Sequence, residues 1–350
     1  MHAFLVPEEA VTTWIRQLAD ERSVLFPQRA GQENFRFMPV KPASVIAFHG
    51  YRPTLAPPGK KLSPAEDPLF FFRGRDAAQP ELHPMLDHGD RILAGVRPCD
   101  LKGIALLDRV HQDGQPDPHY LTRREHTILI GCDCLAPCDE RCFCAAVGSL
   151  GWRDNADLFL TPLDDEILIE IQSSAGEDLM KGRGFPPCPD LSAVKERIEA
   201  RRARPFGRQW SADVSRIQPI LASGGPSHIW DKHVEACFSC GSCNLVCPTC
   251  YCFDLHDTRD LPDFQSGHRM RTADGCMLPT FAQVAGGHDF RPTAAARQKH
   301  RVKRKFEFLN VRFDTTSFCT GCGRCGRQCT ADIDIFEIVG DLIDHAEAQR

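Results

Sequence analysis

Apolar residues recur at helical spacing near the start of the chain. Val11, Trp14, Ile15 and Leu18 recur three or four positions apart, and this spacing predicts a helix over residues 4–22. The later segments that predict helices are 192–206, a short stretch leading into Cys237, and a basic stretch around 296–309. The basic stretch is expected on the surface, either as a solvated face or as a docking face for an acidic partner.

Short apolar runs bounded by proline and glycine predict strands. These runs cover residues 44–50, 68–73 and 126–134, and a strand pair joined by an Asp-Asp turn is predicted within 157–172. Residues 91–110, RILAGVRPCDLKGIALLDRV, predict a strand, a sharp turn and a helix. Strands and helices alternate irregularly, so the first part of the chain is predicted to be a mixed α/β domain that ends between residues 205 and 235.

Composition and charge narrow the class of protein. The chain has 350 residues, of which 42% are hydrophobic, and its formal charge of −5 argues against a nucleic-acid partner. No apolar run approaches the roughly 20 residues that a bilayer requires. No secretory signal is visible, so we expect a cytoplasmic protein without a membrane span. Eighteen cysteines in such a compartment favour metal ligation over disulfides.

One cysteine pattern occurs twice in the C-terminal part of the chain. The pattern is C-x2-C-x2-C-x3-C, and its two copies are Cys237, Cys240, Cys243 and Cys247, and Cys319, Cys322, Cys325 and Cys329. One copy could bind zinc, but two copies with identical spacing predict two [4Fe–4S] clusters. The residue after the second copy is Thr330, where the ferredoxin pattern has proline. This change removes no ligand.

The two copies are predicted to share their ligands. In ferredoxins with two clusters, the fourth cysteine of each run binds the other cluster. The predicted ligand sets are therefore Cys237, Cys240, Cys243 and Cys329 for one cluster, and Cys319, Cys322, Cys325 and Cys247 for the second. We predict an α+β protein, with an irregular mixed α/β domain over 1–215 that carries a second cysteine cluster. A ferredoxin-like domain follows over 230–350, with a long insertion at about 253–318.

A second group of cysteines lies in the N-terminal part. GCDCLAPCDERCFC, residues 131–144, contains five of them, and Cys99 follows a predicted strand. Their spacing matches neither a ferredoxin nor a zinc ribbon. We predict a third [4Fe–4S] cluster held by Cys99, Cys134, Cys142 and Cys144, with Cys138 as the substitute ligand. Structural zinc and free thiols remain alternatives for this group.

The remaining cysteines are less informative. Cys132 is expected on the opposite face of its strand from the ligand positions, and Cys188 is expected to be a bystander. Cys250, Cys252 and Cys276 could bind a further metal, or they could be buried thiols that pack beside a cluster and donate weak hydrogen bonds to it.

No nucleotide-binding motif is convincing. GCGRCG, residues 321–326, fits G-x-G-x-x-G, but no strand precedes it and its glycines already belong to a cysteine loop. A flavin or nicotinamide, if the function needs one, is therefore expected on a partner chain.

Four ordered motifs carry a resemblance to a known family. They are GVRPCDLKGI (95–104), CFC (142–144), VCPTCYCFD (246–254) and CMLPTFAQVAGGHDFRPT (276–293). The chain resembles the β (iron–sulfur) subunit of sulfhydrogenase-type soluble nickel–iron hydrogenases, and the corresponding subunit of anaerobic sulfite reductase is similar. The resemblance implies a dicluster electron-transfer subunit that works with two partners, a flavin and NAD(P)-binding subunit on one side and a catalytic metal subunit on the other. It does not choose between a hydrogenase and a sulfite reductase complex.

Two other functions stay open. The chain could reduce sulfur compounds directly at the Cys99/Cys134/Cys142/Cys144 site, if that site leaves a coordination position open. It could also be a scaffold stabilised by zinc. The sequence contains no Ser/His/Asp triad and no carboxylate pair that demands a catalytic interpretation, so an electron-transfer subunit is the preferred prediction.

Overall fold

A computed structural model describes residues 3–74 and 78–349 of the chain. Within these ranges the strands are β1 (Ala3–Pro7), β2 (Val24–Arg29), β3 (Phe35–Pro39), β4 (Glu66–Arg73), β5 (Glu81–Pro84), β6 (Arg91–Val96), β7 (Thr127–Cys132), β8 (Leu158–Leu163), β9 (Glu166–Ile171), β10 (Phe253–Asp260) and β11 (Asp263–Ala273).

Helices fill much of the rest of the described chain. They are α1 (Glu8–Glu21), α2 (Pro98–Gln112), α3 (Pro118–Glu125), α4 (Ser174–Met180), α5 (Leu191–Arg201), α6 (Ile217–Ala222), α7 (Ser227–Val234), α8 (Ser242–Leu245), α9 (Ala294–Lys303), α10 (Leu309–Phe313), α11 (Arg324–Arg327) and α12 (Ile335–Ala348). A π-helical segment, Arg304–Phe308, joins α9 to α10. No helix of the described residues is long and apolar enough to cross a membrane.

The larger sheet has the strand order β1-β9-β8-β7-β6-β2-β3 in the described residues. Its centre is parallel, since β2, β6, β7 and β8 pair in parallel, and antiparallel strands close both edges. Apolar side chains of α1 pack on one face and those of α2 on the other. Because helices cover both faces, the central strands are apolar on both sides, which explains the continuous runs in the sequence.

A smaller antiparallel sheet combines distant parts of the chain. Its order is β10-β11-β4-β5 in the described residues, and the β10–β11 hairpin comes from the predicted insertion at 253–318. β11 pairs with β4 from Gly267 opposite Phe72 to Thr272 opposite Glu66. The insertion thus folds back onto the N-terminal part of the chain. The division into domains at 1–215 and 230–350 stays a prediction.

Two local predictions are wrong. The helix predicted over 4–22 begins only at Glu8, because residues before it form the edge strand β1, which pairs with β9. Residues 44–50 form no strand. Ile46 and Phe48 are buried in the core, but Gln28 Nε2 rather than a neighbouring strand binds the carbonyl of Val45. Here apolar side chains without ladder hydrogen bonds mimic the composition of a strand.

The other segments follow the pattern of the sequence, and the mixed α/β architecture is confirmed. The Asp-Asp turn between β8 and β9 has Asp164 at φ 58°, a left-handed conformation that aspartate tolerates in hairpin turns. Around the C-terminal cysteine loops, α6, α7, α9 and α12 pack a separate apolar core that includes Trp230, Phe306 and Leu342. Cys319 and Cys325 of the second cysteine run pack against this core.

Candidate metal centres

The two C-terminal cysteine runs adopt the same backbone conformation. We call residues 237–247 the first loop and residues 319–329 the second loop. Ser239 and Gly321 lie at equivalent positions with φ 53° and 65°, and Gly241 and Gly323 with φ 73° and 75°. In both loops the amide two residues after the first cysteine donates to that cysteine's sulfur, at 3.4 and 3.5 Å. Such amides stabilise thiolate ligands.

The fourth cysteine of each loop lies with the first three cysteines of the other. Cys329 lines one cavity together with the first three cysteines of the first loop. Cys247 interacts electrostatically with each of the first three cysteines of the second loop. Helices α8 and α11 pack against each other and hold the loops in this relation. The structure therefore brings together each predicted set of four, while ligation by these residues stays a prediction.

Thiols of the second loop are crowded: Cys322 is buried, and the other three cysteines are half-buried. Burial and the neighbouring thiols raise the pKa of Cys319, and burial raises that of Cys325 to about 12 even though Arg301 opposes the shift. Cysteine binds metal as the thiolate. An iron–sulfur core would supply the positive charge that four adjacent thiolates need, so this donor set fits such a cluster.

Buried cations surround the thiols. Arg301 of α9 is 3% exposed, and its Nε has no hydrogen-bond partner. Cys243, Cys325 and Cys247 all raise the pKa of its guanidinium, which burial alone would lower. Lys305 is also buried, with its Nζ 2.7 Å from Thr249 Oγ1. The basic stretch predicted on the surface therefore turns part of its charge inward, and that prediction is wrong for these side chains.

The second group of cysteines also gathers in one place. Cys99 lies in the first turn of α2, after β6, and Cys134 follows β7, so the ends of two parallel strands present them together. A buried cluster contains Cys99, Cys134, Cys142 and Cys144. Cys138 lies among them, where a hydrogen bond from Cys134 lowers its pKa to about 7. The structure thus assembles the predicted set of four and its substitute, without choosing between them.

Cys132 and Cys188, which were not predicted to bind metal, lie outside both groups of cysteines. Cys132 packs in the core beneath α1, whereas Cys134, beyond the end of β7, belongs to a different buried cluster. Cys188 is half-buried beside the edge of the large sheet, where its amide bonds to the carbonyl of Ala3.

The second loop and the N-terminal cysteines are in direct backbone contact. Phe143, between Cys142 and Cys144, donates its amide to the carbonyl of Gly321 at 2.7 Å. A Cβ atom on Gly323 would lie 2.8 Å from the carbonyl of Arg141. Glycine is therefore required here for close approach as well as for its positive φ. Only the folded chain brings these two cysteine groups together.

A buried ion pair crosses the same contact. Arg324 of the second loop is fully buried and binds both carboxylate oxygens of Asp100, at 2.7 and 2.8 Å. The thiols of Cys322 and Cys99 both act on this guanidinium, so it lies between the two cysteine groups. Sequence reasoning missed this pair, although each residue adjoins a predicted ligand, Arg324 next to Cys325 and Asp100 next to Cys99.

An open cavity of about 450 Å³ adjoins the N-terminal cysteines. Its lining includes Cys134, Cys138, Tyr51 and the buried Arg97. Arg97 stacks over the Tyr51 ring at 3.7 Å and donates to the carbonyl of Asp133, while its Nε has no hydrogen-bond partner. The cavity lies at the carboxyl ends of β6 and β7, where open parallel sheets bind small molecules.

The sequence left open whether Cys250, Cys252 and Cys276 bind metal or are buried thiols. The structure brings these three residues together. Cys250, Cys252 and Cys276 line one narrow cavity beside Asn244 and Cys247 of the first loop. Throughout the described residues, no three Cys, His, Asp or Glu side chains converge as they would around a single metal ion, and this includes the cysteines of both loops.

Comparison with known proteins identifies the family. Residues 236–333 match the 4Fe-4S dicluster domain. The chain is 34% identical over 317 residues to sulfhydrogenase 2 subunit beta of Pyrococcus furiosus, a match that covers 88% of this chain and 89% of that protein. No solved structure matches the chain. The dicluster match agrees with the ferredoxin-like loops. The chain therefore belongs to the sulfhydrogenase β-subunit family, as an iron–sulfur electron-transfer subunit that binds [4Fe–4S] clusters.

Proposed function

We propose that the chain relays single electrons within a cytoplasmic complex, between one partner that binds flavin and NAD(P) and another that carries the catalytic metal of a nickel–iron hydrogenase. The similar protein is named as a subunit, which supports a role among partner chains. The ligands we propose are Cys237, Cys240, Cys243 and Cys329 for the first cluster, Cys319, Cys322, Cys325 and Cys247 for the second, and Cys99, Cys134, Cys142 and Cys144 for a third.

One observation carries this proposal. Thiol groups form a continuous series from Cys240, which is exposed, through the two loops to Cys144 in the interior. When bound, [4Fe–4S] clusters supply one-electron redox chemistry. The protein's part is to fix these groups in space, exclude water from the second loop and hold buried cations beside the thiolates. Arg324 and Asp100 keep the second loop and the third group in register.

Iron analysis tests the ligand assignment. The full chain is purified anaerobically, and iron and acid-labile sulfide are counted for the wild type and for Cys99→Ser. We expect the variant to lose about four irons while the spectrum of the dicluster is retained. The matched control is Cys188→Ser, which should lose none. Unchanged iron in Cys99→Ser contradicts the third cluster, and zinc without sulfide contradicts all the clusters.

The cavity beside Cys134 and Cys138 favours a second function, direct reduction of a small sulfur compound. Reductive cleavage of a sulfur–sulfur bond takes two electrons and two protons, and a reduced dye can supply the electrons to the isolated chain. Arg97 would attract an anionic substrate. If the isolated chain reduces polysulfide with the dye as electron donor and Arg97→Gln raises KM, this function is supported. Dye-coupled electron exchange without product supports the relay alone.

The hydrogenase and sulfite reductase alternatives differ in the partner. Co-purification of the native complex, followed by metal analysis of the chain that co-purifies, separates them. Nickel in the catalytic partner supports the hydrogenase complex, and sirohaem or another sulfite-reducing centre supports a role in an anaerobic sulfite reductase complex.

A further inference from the structure

Three cysteines outside the two loops and outside the N-terminal group share a cavity. Cys250 and Cys252 follow the first loop, whereas Cys276 comes from beyond the β10–β11 hairpin. Their thiols interact electrostatically with one another. Cys276 is 6% exposed, and the other two are half-buried. The β10–β11 hairpin brings Cys276 back to Cys250 and Cys252, although they are distant in sequence.

A buried amide lies beside two of these sulfurs. Asn244 is 2% exposed, and its Nδ2 lies 3.5 Å from Cys276 Sγ and 3.7 Å from Cys250 Sγ. The other end of the same side chain accepts from the amide of Met277, which fixes its orientation. A side-chain amide nitrogen is a donor only, so both sulfurs act as acceptors, and a thiolate accepts better than a thiol. Amide donors of this kind accompany metal-bound thiolates.

Cations without carboxylate partners enclose the same cavity. Lys305, Arg304 and Lys60 contact its walls, and their hydrogen bonds go to Thr249, to the Tyr251 hydroxyl and to the carbonyl of Cys250. None of the three forms an ion pair with a carboxylate in the described part of the chain. Buried or half-buried charge of one sign is costly unless an opposite charge balances it. Thiolates around a cluster would provide that balance.

A fourth donor faces the cavity from α9. The imidazole of His300 lines it together with the three cysteines and also contacts the Phe308 ring. Imidazole and thiolate are both ligands of iron–sulfur clusters.

We propose that Cys250, Cys252 and Cys276, with His300 as the fourth ligand, hold a further [4Fe–4S] cluster beside Asn244 and Cys247 of the first loop. This site is additional to the relay described above and does not depend on the third cluster at Cys99. It gives the second proposed cluster two neighbours, the N-terminal group near its ligand Cys322 and this site near its ligand Cys247. The electron path would then branch at the second cluster.

Iron content of the full chain, purified anaerobically, tests this site. Cys252→Ser and Cys276→Ser should each lose about four irons and the matching sulfide, while the electron paramagnetic resonance signals of the dicluster persist. His300→Cys should retain the iron, because a thiolate replaces the imidazole. Cys188→Ser is the matched control and should lose none.

Several outcomes would overturn the proposal. Iron that stays at the wild-type level in both variants would show that these thiols only pack beside the first loop. Zinc in the wild type that disappears in the variants would replace the cluster by a structural ion. Loss of all iron in every variant would assign the three cysteines a purely supporting role. Loss of the dicluster in Cys240→Ser, by contrast, concerns the proposed relay and leaves this site untouched.

Discussion

The two cysteine loops share sequence spacing and backbone dihedral angles, yet they lie in different surroundings. In the first loop, Cys240 is exposed and Phe238 is 74% exposed. At the equivalent positions of the second loop, Cys322 is buried and Thr320 is 2% exposed. The local conformation is therefore independent of burial, because both loops meet the same requirement of wrapping three thiols around one point.

The difference in surroundings separates two tasks. Solvent exposure and nearby hydrogen bonds set the reduction potential of a cluster, so identical loops can hold clusters of different potential. The exposed first loop is accessible to a partner. The second loop is covered by Phe143 and its neighbours, and its own Arg324 is buried against Asp100. We propose that duplication of one motif yields one contact point and one interior relay, and four experiments test this division.

The largest effect is expected where the second loop is fixed by charge. Arg324→Ala removes one partner of a fully buried ion pair and leaves Asp100 without its guanidinium. Breaking such a pair costs about 3–5 kcal/mol. Urea unfolding, monitored by circular dichroism, measures the loss in the free energy of unfolding. The equivalent first-loop residue is Ser242, and Ser242→Ala should cost under about 1 kcal/mol; equal losses in the two variants would contradict the comparison.

A glycine pair isolates packing from backbone conformation. Gly241 and Gly323 have nearly the same positive φ, so alanine at either position carries a similar strain of about 1–2 kcal/mol. A Cβ at Gly241 would meet the flexible side chain of Leu278, but one at Gly323 would meet the backbone of Arg141 and Cys142. Gly323→Ala should therefore be less stable than Gly241→Ala by about 2 kcal/mol. Similar melting temperatures for the two variants would rule out the close contact.

Thiol reactivity of the iron-free chain distinguishes the loops as a function of pH. Hydrogen bonding with Ser242 Oγ lowers the pKa of Cys240, whereas burial raises that of Cys322. Alkylation requires the thiolate, so Cys240 should react at lower pH and before Cys322. Peptide mass spectrometry after timed iodoacetamide treatment reads the order. Ser242→Ala should move the reaction of Cys240 to higher pH, and a faster Cys322 would refute the assignment of surroundings.

The smallest effect on stability is expected at Phe238. Because its ring is already exposed, Phe238→Ser should change the free energy of unfolding by less than about 0.5 kcal/mol. If the first loop docks a redox partner, the same change should slow electron exchange with that partner several-fold at unchanged iron content. Exposed Val311, on α10 and outside both loops, offers the matched control Val311→Ser. An equal decrease in both variants would show that the first loop is not the contact point.

Particular residues show how far the sequence could lead. The strand, turn and helix at 91–110 and the hairpin at 157–172 were predictable, because local apolar periodicity and turn residues encode them. The strand predicted at 44–50 was not, since side-chain burial alone does not reveal whether a backbone finds a neighbouring strand. The inward charge of Arg301 was equally hidden, because a basic helix shows its composition but not its orientation.

The sequence by itself determined the chemistry of this protein. Repeated spacing of four cysteines predicts two cluster-binding loops, since three ligands of each predicted set come from one short stretch of the chain. The tertiary structure alone decided which loop is exposed, how the N-terminal cysteines meet the second loop, and how Cys276 reaches Cys250 and Cys252. Those relations depend on packing and strand pairing between residues far apart in the chain, and no local pattern records them.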